Sequence, residues 1–417
     1  MRLAVSCFRC AAALAAVLLS VAIPCHGQAL PDSPFSTREK VGQVGANRYY
    51  TPANQVLPPA GIQVELPGMR PQAIALSPNG RLLVTAGKTH DLVVMDPATG
   101  KILQRVALPS DKDSKATPDS VSEEILNPDK AGQLSFTGLL FSPDGTRIYL
   151  ANADGNIKVF GVKSTGKVVG LFSMSLPPAT APERDKEIPA GLAVSPNGKR
   201  LYVVLNLSNR LAELNAANGH VLRLWEVGFA PFGVALAGQK AYVSNWGGRR
   251  PDSQSVTGPA GRGTLVRVDP VRHIAAEGSV SVIDLNQPAA KSEVLSAKAE
   301  ILTGPHASAI AASPNGRWVV VANTGCDTLS VIDTRTDQIV ETICARQSPA
   351  DLFGAQPTAL EFDKSGGRLF VCNGTQNAVA IFDFKPGESN LRGLIPVGWF
   401  PGAVAYDPAR KAVYVAN

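Results

Sequence analysis

The residue types that carry catalysis and bind metals are scarce in this sequence. Of five histidines, His26 lies in an N-terminal leader, and His90, His220, His273 and His306 stand isolated. The six cysteines reduce to Cys326, Cys344 and Cys372 once Cys7, Cys10 and Cys25 are assigned to the same leader. Beyond it there is no C-x-x-C-H haem signature and no paired C-x-x-C zinc pattern. No Ser-His-Asp arrangement, paired-carboxylate signature or metal-ligand cluster can be assembled, so the sequence presents no catalytic constellation. Apolar positions show no period of three to four, which excludes a helical solenoid. The longest apolar run, Ala11 to Ile23, falls short of the roughly twenty residues a membrane span needs and is broken by Pro24. Charge is modest too: 40 basic residues against 34 acidic ones give a net +6, a mild excess that does not by itself imply nucleic acid.

What fills the chain instead is a repeated unit. Its most complete copy is Ala307 to Ile343, ASAIAASPNGRWVVVANTGCDTLSVIDTRTDQIVETI, which reads as four short strands. Ser308 to Ala312 alternates small and apolar residues before the tight turn Ser313 to Gly316. Trp318 to Asn323 is an apolar β-branched run. Leu329 to Asp333 alternates again, Thr334 to Asp337 turns, and Gln338 to Ile343 is the last strand. First strands begin again at Ala73, Gly138, Gly191, Gly233, Ala359 and Ala403, as AIALSPNG, GLLFSPDG, GLAVSPNG, GVALAGQK, ALEFDKSGG and AVAYDPAR. Seven copies of about forty residues or more, each too thin to bury its own faces, predict an all-β fold: a seven-bladed β-propeller of four-stranded antiparallel blades over residues 61–417.

The wording of the copies resembles the YVTN-type repeat of the YncE-like family of bacterial extracytoplasmic propellers. VYVAN at Val413, VVVAN at Val319 and SVIDT at Ser330 carry that resemblance. More narrowly, TPANQ at Thr51, GQLSFTGLLFSPDG at Gly132, NLSNRLAEL at Asn206, VSNWGGRRP at Val243, GRGTLVRVDPVRHIAAEGSVSVIDL at Gly261 and IPVGWFPGAVAYD at Ile395 are similar to the propeller half of bifunctional proteins. In those the propeller precedes a phosphoesterase domain of the alkaline phosphatase superfamily. The resemblance covers nearly the whole mature chain and no catalytic motif. It implies an exported scaffold whose divalent metal and hydrolytic chemistry belong to a domain beyond residue 417, with no cofactor in the segment at hand.

The ends are read as follows. Residues 1–27, with Arg2, Arg9 and small residues before Gly27, form a Sec-type signal peptide, which places the protein in the periplasm or outside the cell, with no membrane association after cleavage. Lipid anchoring at Cys25 is the alternative, and the preceding Ile-Pro fits it poorly. Residues 28–60 are an extended lead-in. Ile62 to Leu66 is expected to be the outer strand of the last blade, since the copy at Ala403 supplies only two strands before Asn417. The third strand of that blade is then absent, and the chain reads as a fragment.

Copies are spaced 65, 53, 42, 76, 50 and 44 residues apart, and the excess over about 42 is insertion. Most of it joins fourth to first strands (109–135, 177–189, 345–356) or second to third strands (247–278), two connection types that emerge on one side of the disc. Residues 286–300, read as a short helix, are the exception on the other side. Loops gathered on one side of a rigid scaffold usually bind. The candidate binding rim is therefore Trp246, Arg249, Arg250, Arg262, Arg267, Arg272, His273, Trp399 and Phe400, with Phe229 and Phe232 beside it. Arginine forks suit carboxylate or phosphate partners, so the rim would take an anionic ligand, a protein, or the chain's own phosphoesterase domain; a solvated loop with internal ion pairs fits the same residues.

Gly258, Gly261 and Gly263 do not make a phosphate loop, because no strand-to-helix turn and no Lys-Ser or Lys-Thr accompanies them. Counting back from the turn at Thr334 to Asp337 sets Asp327 opposite Cys344, so Cys326 and Cys344 read either as a disulfide or as two free thiols. Alanines 75, 193, 235, 311 and 405 of the first strands have a packing explanation near the axis, and Asp96, Asp284, Asp333 and Asp383 a turn-forming one. Two other functions stay open. A lactonase-type hydrolase requires charged residues on the inner strands, which offer only Glu361 and Asp363. A surface adhesion module requires further repeats.

Overall fold

The computed structural model describes residues 39–52, 55–87, 90–110, 134–182, 184–261, 264–288 and 294–417. The leader therefore lies outside the described residues, as do Arg262 and most of 109–135. From Val41 onward the chain is all β, with no helix among the described residues. It opens with a small antiparallel sheet, β1 (Gly42–Gly45), β2 (Arg48–Tyr50) and β3 (Val56–Leu57), so the end of the lead-in is more structured than an extended segment. Asn47 makes the reversal possible by adopting a positive φ of 49°, which Asn tolerates better than most residues.

The blades then follow in order. Blade 1 is β4 (Pro71–Leu76), β5 (Leu83–Gly87), β6 (Asp91–Met95) and β7 (Ile102–Ala107); blade 2 is β8 (Leu134–Phe141), β9 (Arg147–Asn152), β10 (Asn156–Val162) and β11 (Val168–Ser175). Blade 3 is β12 (Pro189–Val194), β13 (Arg200–Leu205), β14 (Arg210–Asn215) and β15 (Val221–Glu226). Blade 4 is β16 (Pro231–Ala237) and β17 (Lys240–Asn245), then an inserted hairpin of β18 (Thr257–Gly261) and β19 (Thr264–Arg267), then β20 (Gly278–Asp284). Before its last strand, β22 (Ala299–Thr303), the chain makes the short β21 (Leu295–Ser296). Blade 5 is β23 (Ala307–Ala312), β24 (Trp318–Asn323), β25 (Thr328–Asp333) and β26 (Gln338–Cys344). Blade 6 is β27 (Pro357–Phe362), β28 (Arg368–Asn373), β29 (Ala378–Asp383) and β30 (Asn390–Pro396), and blade 7 has β31 (Ala403–Asp407) and β32 (Ala412–Ala416).

Every blade is an antiparallel meander, and its first strand is an edge. The first strands pack on one another in a cycle, β4, β8, β12, β16, β23, β27, β31 and back to β4, which closes the seven-bladed propeller. Crowding at the axis explains the glycines that open several first strands: a Cβ on Gly191 would sit 2.8 Å from the Cα of Gly233. Second strands are sandwiched between blades, so β9, β13, β17, β24 and β28 are buried along almost their whole length and read as apolar β-branched and aromatic runs. Most fourth strands face solvent and alternate, as in β26, whereas β11 of blade 2 is buried along nearly its whole length. The Ser-Pro-Asn-Gly turn works through its side chains. Ser313 Oγ accepts from the Trp318 amide at 3.0 Å, Asn315 Oδ1 accepts from that of Arg317 at 3.0 Å, and Gly316 takes φ 65°.

Three expectations need correcting. Ile62 to Leu66 forms no strand. It lies against blade 1 on the side of blade 7, where Leu66 packs with Leu83, Met95 and Tyr414, but it belongs to no sheet, and Ile62 is exposed. The described part of 286–300 carries β21, paired in parallel with β15 of the neighbouring blade, and not a helix. Finally, Thr328 and not Asp327 stands opposite Cys344, because a bulge at Val340 adds one residue to β26. The same bulge between third and fourth strands recurs in blades 1, 2, 3 and 6.

Candidate functional site

Two places merit attention: the face that carries the long loops, and the axial channel. On the loop face the insertion of blade 4 is well ordered by its own charges. Arg249 grips Glu277 with both nitrogens, Nη2 to Oε1 at 2.6 Å and Nε to Oε2 at 3.0 Å, and this pairing holds the Glu277 carboxyl below its ordinary pKa. Arg250 donates to the carbonyls of Val227 and Asn209, each at 2.7 Å, and ties the loop to blade 3. Arg267 reaches Asp252 at 2.5 Å and the carbonyl of Arg250 at 3.2 Å. Arg249 and Arg267 thus spend their forks on carboxylates within the loop and Arg250 on carbonyls of blade 3, which leaves the three little capacity for an anion. Arg272 and His273 are exposed on a turn held by Asp269.

Beneath the insertion lies a buried polar set. Asn245 Nδ2 donates to Ser279, Ser281 and Glu300 at 3.0, 2.9 and 3.2 Å, and burial raises the Glu300 pKa. Trp246 stacks on His306 with centroids 4.0 Å apart and planes 7° from parallel, and burial lowers the imidazole pKa. His306 is one of four residues with positive φ that immediately precede a first strand or its proline; the others are Ala230, Gln356 and Phe400. The side chain of an Asn or Asp that is itself at positive φ receives the amide of three of them. Asn209 Oδ1 takes that of Ala230 (2.8 Å), Asp327 Oδ1 that of Gln356 (2.7 Å) and Asn377 Oδ1 that of Phe400 (2.9 Å). This clamp ties each second-to-third turn to the connection leading into the next blade. The spacings Asn206 to Asn209, Asn323 to Asp327 and Asn373 to Asn377 were its only trace in the sequence.

Beside these polar groups the loop face exposes several apolar side chains. Trp399 is 58% exposed and Trp246 40%, while Phe400 is packed against Gly374. The loop 345–356 presents Leu352 and Phe353, 92% and 72% exposed, the latter under the Arg346 guanidinium at 4.5 Å. Val271 and Ile274 of the blade 4 insertion add to the set. Leu352 and Phe353 were not among the candidate residues, although a Leu-Phe pair in a polar, Pro- and Gly-containing loop is a readable signal. Cys326 and Cys344 are free thiols, Cys326 Sγ lying 3.2 Å from Thr328 Oγ1, and Cys372 is buried.

The axial channel is the second place. A cavity of about 400 Å³ is lined by the first strands of blades 3 to 6, including Ala193, Ala235, Ala311 and Glu361. The register shows that Ala75, Leu140, Ala193, Ala235, Ala311, Glu361 and Ala405 are the same position of seven copies, each paired with the third residue of its second strand or the structural equivalent. Glu361 thus replaces the alanine of five other blades. Among the described residues its carboxyl has no hydrogen-bond or ion-pair partner, and desolvation pushes its pKa up to about 7. Among the described residues no group of three or more His, Cys, Asp or Glu is placed to hold a metal ion.

Comparison with known proteins agrees on the fold. Residues 276–396, from the third strand of blade 4 through blade 6, match the family model described as lactonase, 7-bladed beta-propeller. No curated protein matches the chain. Among solved structures, Kuenenia stuttgartiensis hydrazine synthase superposes with a TM-score of 0.60 at 16% identity, over 86% of this chain and 95% of that one. The structure of U3-55K gives 0.59 at 10% identity, over 84% and 89%. At these identities the likeness concerns the propeller architecture alone.

Proposed function

We propose that this protein is an exported binding scaffold that docks a protein partner on its loop face. In the arrangement the YncE-like resemblance implies, that partner is a metal-dependent phosphoesterase domain encoded after residue 417, and the propeller itself does no chemistry. The observation that carries the reading is that the exposed tryptophan and phenylalanine side chains among the described residues, Trp246, Phe353 and Trp399, all lie on the side bearing the long loops, with exposed Val271, Ile274 and Leu352. Water-exposed aromatic and aliphatic groups on a rigid support are what an interface core is made of. The internally paired arginines around them serve as a polar rim. The reading frame beyond codon 417 supplies the first test: a Thr or Ser nucleophile among Asp and His metal ligands supports the fusion, and further repeats support adhesion instead. With that domain in hand, titration calorimetry against the propeller should give a Kd weakened at least about 10-fold by F353A together with W399A. Unchanged affinity in the double variant removes the loop face from the interface.

A second reading, a hydrolase of lactonase type working in the channel, is favoured by the family match over 276–396 and by Glu361 on an inner strand. It requires turnover of a simple lactone by this segment alone, abolished by E361Q. Absence of turnover removes this reading.

A further inference from the structure

Glu361 is the clearest departure from sevenfold regularity at the core of the molecule. Blades 1, 3, 4, 5 and 7 place alanine at this register position and blade 2 leucine, all apolar and uncharged. A glutamate there is half-buried at the channel wall and loses part of its hydration, with no partner among the described residues to compensate. Local rules are broken in this way mainly where function requires it. The surroundings also select the ligand. Each inner strand is a sheet edge, so part of its backbone has no ladder partner, and the lining side chains other than Glu361 are apolar: alanines 193, 235, 311 and 312 at the axis, while Val234, Leu360 and Phe362 belong mainly to the clusters between blades. No cationic side chain lines the cavity.

We infer that the axial channel is a binding site for a small organic cation, a primary or secondary ammonium on a short apolar body, held by an ion pair to the Glu361 carboxylate. The apolar body replaces water against the alanine methyls of the inner strands, the ammonium donates to Glu361 Oε and to edge carbonyls that lack a ladder partner, and about 400 Å³ accommodates a ligand of small-molecule size. A hard metal ion fits less well, since calcium takes six to eight oxygen ligands and this site has one carboxylate. Groups that could compete for the carboxylate are few. The first strands of blades 3, 4 and 5 contribute no charge to the cavity, Asp363 is engaged by its own turn through Ser365 and the Arg368 amide, Tyr406 of β31 stacks on Phe370, and Asp407 is paired with Arg410. The Glu361 carboxyl is consequently the group whose protonation governs occupancy. Raised to about 7, it is ionised at mildly alkaline pH and neutral at mildly acidic pH.

The test is calorimetric titration of the purified protein with n-butylammonium chloride, alongside n-butanol and calcium chloride, near pH 8 and near pH 5. The expected result is one saturable site for butylammonium near pH 8, weakened roughly 10- to 100-fold near pH 5, with buffer-dependent heats near pH 7 as a proton leaves the carboxyl. Butanol should not bind measurably. E361Q should abolish the site and E361D weaken it, both keeping the wild-type circular dichroism and a cooperative melt. Butylammonium binding that survives in E361Q, equal binding of butanol, tighter Glu361-dependent binding of calcium, or no saturable heat at all each overturns the inference. None of these outcomes bears on the loop-face interface, which lies outside the channel and is tested separately.

Discussion

At the scale of single residues, two titratable groups translate burial into pH dependence. The Glu361 carboxyl is raised from 4.5 to about 7 by desolvation. Between those values the folded protein holds a proton that the unfolded chain has released, so this residue's contribution is most favourable below the unfolded value and declines as pH rises toward 7. E361Q removes the decline. It should raise the stability near pH 8 by about 1–3 kcal/mol, nearer the lower figure because channel water reaches the carboxyl, and change little near pH 4.5. Denaturant melts of both proteins across this range check it, and a variant that is less stable near pH 8 contradicts the absence of a partner for Glu361. His306 has the opposite sign. Burial lowers its pKa below 6.5, so the neutral ring stacked on Trp246 stabilises the fold above that pH, and the contribution is lost as pH falls through the depressed value. In H306N, which keeps a residue tolerant of positive φ, the part of the acid sensitivity seen in tryptophan fluorescence below about pH 6 should disappear.

At the scale of elements, the clamp between neighbouring blades explains why certain turns need Asn or Asp. Asn377 sits at φ 54°, accepts the Phe400 amide at 2.9 Å and donates to Gln55 Oε1 at 2.8 Å. N377A should lose both bonds and place at φ 54° a residue that lacks the polar side chain by which Asn tolerates that conformation, at a cost of about 1–3 kcal/mol; N377G loses the bonds but relieves the backbone and should cost less. If urea melts rank the two variants the other way, conformation is not what selects the residue. Turn chemistry of the Ser-Pro-Asn-Gly kind is local and was visible in the sequence, as were the aspartates that close third strands. Asp96, Asp284 and Asp333 each receive the amide two residues on, although Asp383 pairs with Arg392 instead. The recurrent bulge was not visible. It adds one residue on the solvent side of an outer strand, where exposed Leu103, Leu222 and Val340 make no pattern that hydropathy can separate from ordinary alternation.

At the scale of the whole molecule, the core is distributed. Seven apolar clusters lie one between each pair of adjacent blades, from that of blades 1 and 2 round to the cluster in which Leu66, Met69 and Tyr414 meet blade 1. No single cluster could hold a blade alone, so cohesion depends on the ring being closed. Between blades 7 and 1, Tyr414 donates to the Pro97 carbonyl and Arg410 to that of Gly80, each at 2.9 Å. Y414F combined with R410A should lower stability by about 1–3 kcal/mol and speed amide exchange in β4, β5, β31 and β32 ahead of β12 and β13 across the ring. Uniform acceleration would show that the seam is no weaker than the rest.

Repeat number, blade topology and the side on which insertions gather follow from the order of short-range signals along the chain. Strand alternation, turn residues and repeat spacing are local properties, and seven copies reinforce one another. Tertiary structure alone decided which arginines of the blade 4 insertion are free, that Trp246 meets His306, and that Glu361 stands without a partner at a position where other blades pack alanine. Those outcomes depend on which side chains from distant copies arrive at the same point, and hydropathy along the chain carries no record of that encounter.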